Sequence, residues 1–438
     1  MFVPARSCTR IRATFRVVFG LLIACVPVLV FAAATFSVNS TADIPDENPG
    51  DGICRTASNN TTCTLRAAIM EANALPTIKG QVDTINLQPN TTYTLTRAGE
   101  DDSGLNGDLD VLDSVTIIGA GPASTILDAN GAVTNDRVME ILQGVVHISG
   151  VAFRHGKQSG GSGGGGIRNA GGTLTLQNCA ITDNTSAVGG GVSTQATTTV
   201  IASTISGNQG GGIFQNSGST LTVVNSTISG NSGAAFGGGI GAAGATFNAI
   251  NTTISGNSTV GYGGGLYVAG ASVGLYNVTV AANQANSAGI GTATGGGMYN
   301  TGGATVALSN SIITNNEYIP GGGSMLHVID DCSGAFTSTG YNIVTVVVAA
   351  HCTITGSYST AGASLGLLQN NGGPTLTHAL LVGSAAVDAG NPSGCAYNDN
   401  PDAILISDQR GVPRPNGPRC DLGAFELDYI IFQDGFEP

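Results

Sequence analysis

The side chains of this protein that could do chemistry are few, and they crowd toward one end of it. Glu100, Asp101, Asp102, Asp108, Asp110 and Asp113 fall in one short polar stretch. Within it Asp102, Asn106, Gly107 and Asp113 occupy positions 1, 5, 6 and 12 of a loop, the pattern of an oxygen-ligand calcium loop. Gly104 stands third where an oxygen ligand is wanted, Asp113 stands twelfth where a glutamate is usual, and no helical pattern flanks the loop. Two readings stay open. Either Asp102, Asp108, Asp110 and Asp113 hold calcium, or they form a solvated acidic turn and the protein carries no cofactor.

A second concentration is basic: Arg154-His155-Gly156-Lys157, with Arg168. Arg154 or Lys157 opposite Asp128, Asp136 or Glu140 would make the residue set of a polysaccharide lyase or glycoside hydrolase. Such enzymes use a base against an acidic sugar or a pair of carboxylates flanking the bond. The plainer reading is charge at the rim of a regular array, and no catalytic residue is assigned. A third group, Asp388, Asp408, Arg410 and Glu426, reads as an arginine–carboxylate network in preference to an active site.

What must position these residues is a repeat. Asn178-Cys-Ala-Ile-Thr-Asp-Asn184 recurs as Ala202–Asn208, Asn225–Asn231, Asn251–Asn257, Asn277–Asn283 and Asn310–Asn316. Its central apolar position, Phe153, Ile181, Ile205, Ile228, Ile254, Val280 and Ile313, returns every 23 to 33 residues. Five residues earlier stands a second apolar column, from Ile148 and Leu176 to Leu308. After each copy comes a glycine triplet, followed in five copies by Val192, Ile213, Ile240, Leu266 or Met298. Apolar residues alternating with threonine make strands, and triplets of glycine exclude a helical repeat. Self-similarity at this period means stacked rungs.

The fold class expected is all-β, a single-stranded right-handed parallel β-helix of about ten rungs. Isoleucine stacks on isoleucine inside it, and the closing asparagines form an amide ladder. The gap between closing asparagine and triplet varies from one residue (Gln209) to eleven (Gln284–Thr294). These insertions are either a binding face or merely tolerated.

The first residues carry Arg6, Arg10, Arg12 and Arg16, then the apolar run Val17–Phe31, then Ala32-Ala33-Ala34. That is the pattern of a secretory signal peptide with a small-residue cleavage site. Its removal takes the net charge of −13 to −17 by losing four arginines. Such a balance, with two lysines in all, excludes a phosphate-binding patch and so a nucleic-acid partner. No other stretch has the length and apolarity of a membrane span. From Asn169 to Asn316 the one ionised side chain is Asp183. In an exported chain Cys54/Cys63, Cys332/Cys352 and Cys395/Cys420 read as disulfides closing short loops outside the repeat. Cys179 reads as a buried hydrophobe.

Cys63-Thr-Leu-Arg-Ala-Ala-Ile-Met-Glu-Ala-Asn73 is the one convincing helix, with Leu65, Ala68, Ile69 and Ala72 on one face and Thr62 or Thr64 as cap. Laid across the open end of a solenoid it would cover unpaired strand edges. Together with Phe36–Asp43 and Gly50-Asp-Gly-Ile-Cys54 it resembles the CSLREA domain of bacterial secreted proteins, which implies export and an N-terminal cap ahead of a β-helix. The rungs resemble those of polymorphic outer-membrane proteins. Asn371-Gly-Gly-Pro-Thr-Leu-Thr-His378, Gly383–Asn391, Asp408–Pro415 and Cys420–Glu426 resemble the choice-of-anchor Q domain of bacterial surface β-helices. That likeness implies a module closing the C-terminal end.

The organisation expected is therefore a signal peptide at 1–34, a CSLREA-like cap at 35–80, the β-helix at 81–335, a choice-of-anchor Q-like module at 336–428 and a tail at 429–438. The tail reads equally as a terminal tag or a last edge strand. The function expected is a secreted or outer-membrane-surface, non-catalytic, adhesin-like or structural scaffold. Its partners would be polysaccharide or envelope components. The alternative is a polysaccharide-degrading enzyme.

Overall fold

In a computed structural model the described residues are 33–75, 81–161, 163–233, 235–323, 326–395 and 405–428. The expected signal peptide, apart from its last two residues, and the tail at 429–438 lie outside them.

The chain winds as a right-handed parallel β-helix with three main strands per turn, and in several turns a fourth strand of two residues follows, as at Ser232–Gly233, Ser258–Thr259 and Gln284–Ala285. The second apolar column lies in a first sheet, where Thr173–Gln177 pairs in parallel with Thr197–Ile201 and that strand with Thr220–Val224. The isoleucine column lies in a second sheet of ten strands, from Thr91–Thr94 to Ile343–Val344. There Ile181 is registered on Ile205 and Ile205 on Ile228, and all three are fully buried. The residues after the glycine triplets form a third sheet, Ile167 on Val192, Val192 on Ile213 and Ile213 on Ile240. Every inward side chain thus packs on its own counterpart one rung away, at about 4.8 Å. One continuous core results.

Two ladders of backbone and amide explain the conserved-looking signature within the repeat. The residue joining the first sheet to the second has positive φ at Asn178, Asn225, Asn251, Asn277 and Asn310, a region asparagine tolerates better than most residues. The closing asparagines stack inside. Asn208 donates its Nδ2 to Asn231 Oδ1 at 2.9 Å and to Ile205's predecessor Ile181 O at 2.9 Å, while its own Oδ1 accepts from Asn184. Asp331 ends the ladder by accepting from Asn316. The third glycine of each triplet stands behind this ladder. A Cβ on Gly191 would lie 2.6 Å from Gly212 O and 3.0 Å from Asn208 Nδ2, so no side chain fits.

At the N-terminal end α1 (Leu65–Ala74) is capped by Thr64, whose hydroxyl accepts from Ala67 N at 3.1 Å. Leu65, Ala68, Ile69 and Ala72 join the common core beside Ile85 and Leu109. The segment before it is more than polar turns. Thr35–Ser37 is a strand registered on Asp83–Asn86, so the chain contributes an edge rung before the helix.

The other end departs from expectation in two ways. Rungs continue beyond residue 335, through Cys332–Gly340, Ile343–Val344 and Cys352–Thr355. The long strand Cys332–Gly340 joins the first sheet to the third. The Cys332–Cys352 disulfide therefore lies in the core of the last rungs, not in a loop outside the repeat. Cys54–Cys63 and Cys395–Cys420 are also bonded, and Cys179 is free and buried.

The C-terminal module caps the solenoid along its flank; it is not a lid on the last rung. Gln409 bonds Thr227 and Thr253, Asn251 bonds Ser407 O, His378 bonds Ser255, and Gly423 N reaches Asn310 O. The outward residues of the second sheet from Thr227 onward are thereby covered. Leu422, Phe425, Leu380 and Ile312 make a second, smaller core beneath it.

Candidate functional site

The third sheet has an outer face as well as an inner one, and along that face register builds a single column. Asp110 lies beside Glu140, Glu140 beside Arg168, Arg168 beside Ser193, and Ser193 beside Phe214. The column continues through Gly241, Tyr267 and Tyr299 to Ser333. It is charged at the N-terminal end and aromatic toward the other.

The aromatic end is built from two files. Phe214, Tyr267 and Tyr299 come from the strands themselves. Phe236 and Tyr262 come from the residues just before two glycine triplets, held in register by a parallel bridge. Tyr267 and Tyr299 stack at 5.6 Å between centroids with an interplanar angle of 5°. Phe236 leans on Tyr267 at 4.7 Å and Tyr262 on Tyr299 at 4.5 Å. Gly241 keeps the file continuous, because a Cβ there would meet the Phe214 ring at 3.0 Å. Phe236 is 47% exposed, and the other four rings are half-buried. Partial burial raises the Tyr267 hydroxyl's pKa, aided by Tyr299 and Tyr262. Flat rings edged by hydroxyls and amides can stack on the apolar faces of neutral rings.

The charged end is buried. Arg137 is its hub: it pairs with Glu140 and lies 3.4 Å from Asp108, while Arg168 pairs with the other oxygen of Glu140. Burial pulls the Arg137 pKa down, but Asp108 and Glu140 outweigh it and the net shift is upward. The carboxylates pay more heavily for burial. Asp108 is pushed well up by burial and by Asp110 and Asp136. Glu140 is also raised by burial, although Arg137 and Arg168 oppose this.

Arg66 of α1, 1% exposed, holds the covering loop by donating to Gly104 O, Asp108 O and Gly107 O at 2.8–2.9 Å, and it pairs with Asp43. The N-terminal helix thus positions the acidic loop.

The residues singled out in the sequence are distributed differently from their spacing. The calcium-loop arrangement does not form. Asn106 is turned toward Arg97, and Asp101 accepts from Ser103, Leu105 and Asn106 backbone amides. Asp102 meets Asp110 and Glu140, not Asp113. Nor is the basic stretch one cluster. Arg154 and His155 pair with Asp128 at 3.0 and 2.9 Å on the flank of the second sheet, whereas Arg168 belongs to the third. There Asp128, His155, Lys157, Asp183 and Thr94 line an open cleft of about 490 Å³. Asp128 is engaged by both neighbours and by Asn130 N. Asp136 and Glu140 are too deeply buried to face it.

Near the C-terminus Asp408 pairs with Arg410, and Arg414 with Glu426. Arg414 also donates to Asn277 Oδ1 at 2.9 Å, clasping the module to the rungs. Asp388 receives Arg419 N, and its own N–H donates to Asp421 Oδ1 at 2.7 Å.

Sequence reasoning missed Arg137 and all five aromatic residues. A signal existed for the latter. Phe214, Tyr267 and Tyr299 each follow a core residue directly after a triplet, and Phe236 and Tyr262 directly precede one.

Residues 132–285 match the family model described as a right handed beta helix region. The solved structure of pectate lyase Pel9A aligns with a TM-score of 0.43 at 15% identity, over 91% of this chain and 98% of that one. No curated protein matches the chain.

Proposed function

We propose that this protein is a non-catalytic, exported surface scaffold that lays a glycan along the aromatic file of its third sheet. One observation carries the reading: five aromatic side chains from four rungs converge on one outer face. Elsewhere the regular rungs present mostly serine, threonine and asparagine, apart from one column of Ile201, Val224, Ile250 and Tyr276 on the first sheet. Rigid rings supply contact area at small entropic cost, and the surrounding hydroxyls supply adaptable hydrogen bonds. Export is supported by three disulfides, which persist in oxidising compartments.

The test is saturable binding of immobilised neutral polysaccharides by the intact protein, compared with Tyr267→Ala and Tyr299→Ala. Binding that survives both substitutions overturns the reading. So do unsaturated products or new reducing ends released from the polysaccharide.

A further inference from the structure

The charged end of the same column carries an electrostatic deficit. Asp108, Asp110, Asp136 and Glu140 are all at least 98% buried. Two guanidinium groups, Arg137 and Arg168, face them. Buried charge is tolerated only when paired, and Asp102 and Glu100 at the rim add to the excess rather than relieve it.

Asp110 is where the deficit is sharpest. It is 1% exposed, and its Oδ2 accepts from Gly104 N at 3.0 Å. Its Oδ1 is buried with no hydrogen-bond partner. An oxygen each from Asp102, Asp110 and Glu140 lies within 4.8 Å of the others, a span that an oxygen shell about 2.4 Å from calcium covers.

We infer that Asp102, Asp110 and Glu140 bind a hard divalent cation, calcium above all, between the covering loop and the first two strands of the third sheet. The donors are all carboxylate oxygens, with neither imidazole nor thiolate, which favours calcium or magnesium over zinc. Magnesium's tighter octahedron, with ligands at about 2.0–2.1 Å, would need the three carboxylates drawn closer. Water completes the shell on the side of Asp102, the exposed member of the set. The residue set crosses two rungs and a loop, so it differs from the linear loop that the sequence suggested. Asp113 has no part in it.

The competing account is that protons fill the deficit, Asp110 being pushed up to about 7 by burial foremost. Calorimetric titration of the full-length protein with calcium, beside thermal unfolding in calcium and in a chelator, separates the two. A cation site gives one saturable heat and a higher Tm in calcium. Asp102→Asn, at an exposed position, lowers calcium affinity about tenfold or more, on the scale of losing one directing group at a metal site, and leaves the chelator Tm unchanged. Asp113→Asn leaves calcium affinity unchanged. The inference is overturned if calcium produces neither heat nor a Tm shift in the intact protein. It is equally overturned if Asp102→Asn binds calcium as well as the parent does.

Discussion

The two ends of one outer column solve the same geometric problem with opposite chemistry. Both lie on the third sheet, in continuous register from Asp110 to Tyr299. At the N-terminal end the column is covered by α1 and the acidic loop, so its side chains are charged and mostly buried. At the aromatic end nothing in the described residues covers it, so its side chains are flat, uncharged and half-wet. The scaffold is indifferent to which is used, because the inner residues of both ends serve the same core. If the aromatic file is the glycan-binding face proposed above, stability and recognition should respond to substitutions on different rungs.

The largest expected effect breaks the charged end. Arg137→Met leaves Asp108 and Glu140 buried without their main counter-ion, a change that costs about 3–5 kcal/mol at buried pairs. Thermal or denaturant unfolding should show a Tm lower by several degrees or an early first transition. Glycan affinity measured on the folded fraction should be unchanged. If binding falls with stability, the two ends are coupled and the division fails.

A neutral version of the same test lies in the asparagine ladder. Asn231→Ala removes the acceptor of Asn208 Nδ2 and N, and the donor to Ile205 O and Asn257 Oδ1. Asn208 Nδ2 keeps Ile181 O and Asn257 Oδ1 keeps the Asn231 N–H, so the donor stranded outright is the Asn208 N–H, at about 1–3 kcal/mol. The loss should approach, yet stay below, that of Arg137→Met, because no charge is stranded. Equal or greater destabilisation would mean that the saturated amide ladder, and not the ion cluster, dominates the fold's local stability.

The next effect belongs to the aromatic end. Tyr267 touches both Phe236 and Tyr299, and aromatic anchors truncated to alanine typically lose more than about 1 kcal/mol of binding. Tyr267→Ala should therefore weaken glycan binding about tenfold and shift Tm little, the reverse of Arg137→Met.

Acid titration distinguishes binding from stability once more. Glu426 is raised to about 7, chiefly by burial, with Asp421 adding to this and Arg414 opposing it. Arg410 and Asn416 contact it too, and Asp408 accepts its backbone N–H. Its folded-state value lies above the ordinary carboxyl value of 4.5. The folded protein therefore keeps a proton that the unfolded chain has lost between about pH 4.5 and 7. Stability from this group is full below that window and declines as pH rises through it. Tm should fall from pH 5 to 7.5, less steeply in Glu426→Gln, while glycan binding at the aromatic end, which Glu426 does not touch, stays level.

How much of this could be read from the chain follows from period and register. The inner columns were legible because a strict apolar period at Ile181, Ile205 and Ile228 survives variable loop lengths. The outer column was not, since Asp110 and Glu140 stand thirty residues apart and share no motif; only rung register brings them together. The isolated calcium-like spacing misled for the same reason, as loop position counted for less than the strand across the way. The flank position of the C-terminal module left no trace either. Thr227, Thr253 and Ser255 look like the solvent-facing residues of every other rung, yet they are its hydrogen-bond partners.

The smallest expected effect sharpens the comparison within the aromatic end itself. Phe236 belongs to the loop file. It is the most exposed ring, and it rests on Tyr267 without a place in a strand. If the strand file sets the geometry of recognition, Phe236→Ala removes one wall and leaves the floor intact. Affinity should then fall only about threefold, toward the lower end of the roughly 0.5–1.5 kcal/mol that an aromatic pair contributes, and mostly through faster dissociation. Tm should be unmoved, because the residue adds nothing to the core. A loss as large as that of Tyr267→Ala would instead make the loop before the glycine triplet the primary contact. The strand tyrosines would then serve as its support, and recognition would be assigned to the variable side of the repeat and not to its registered face.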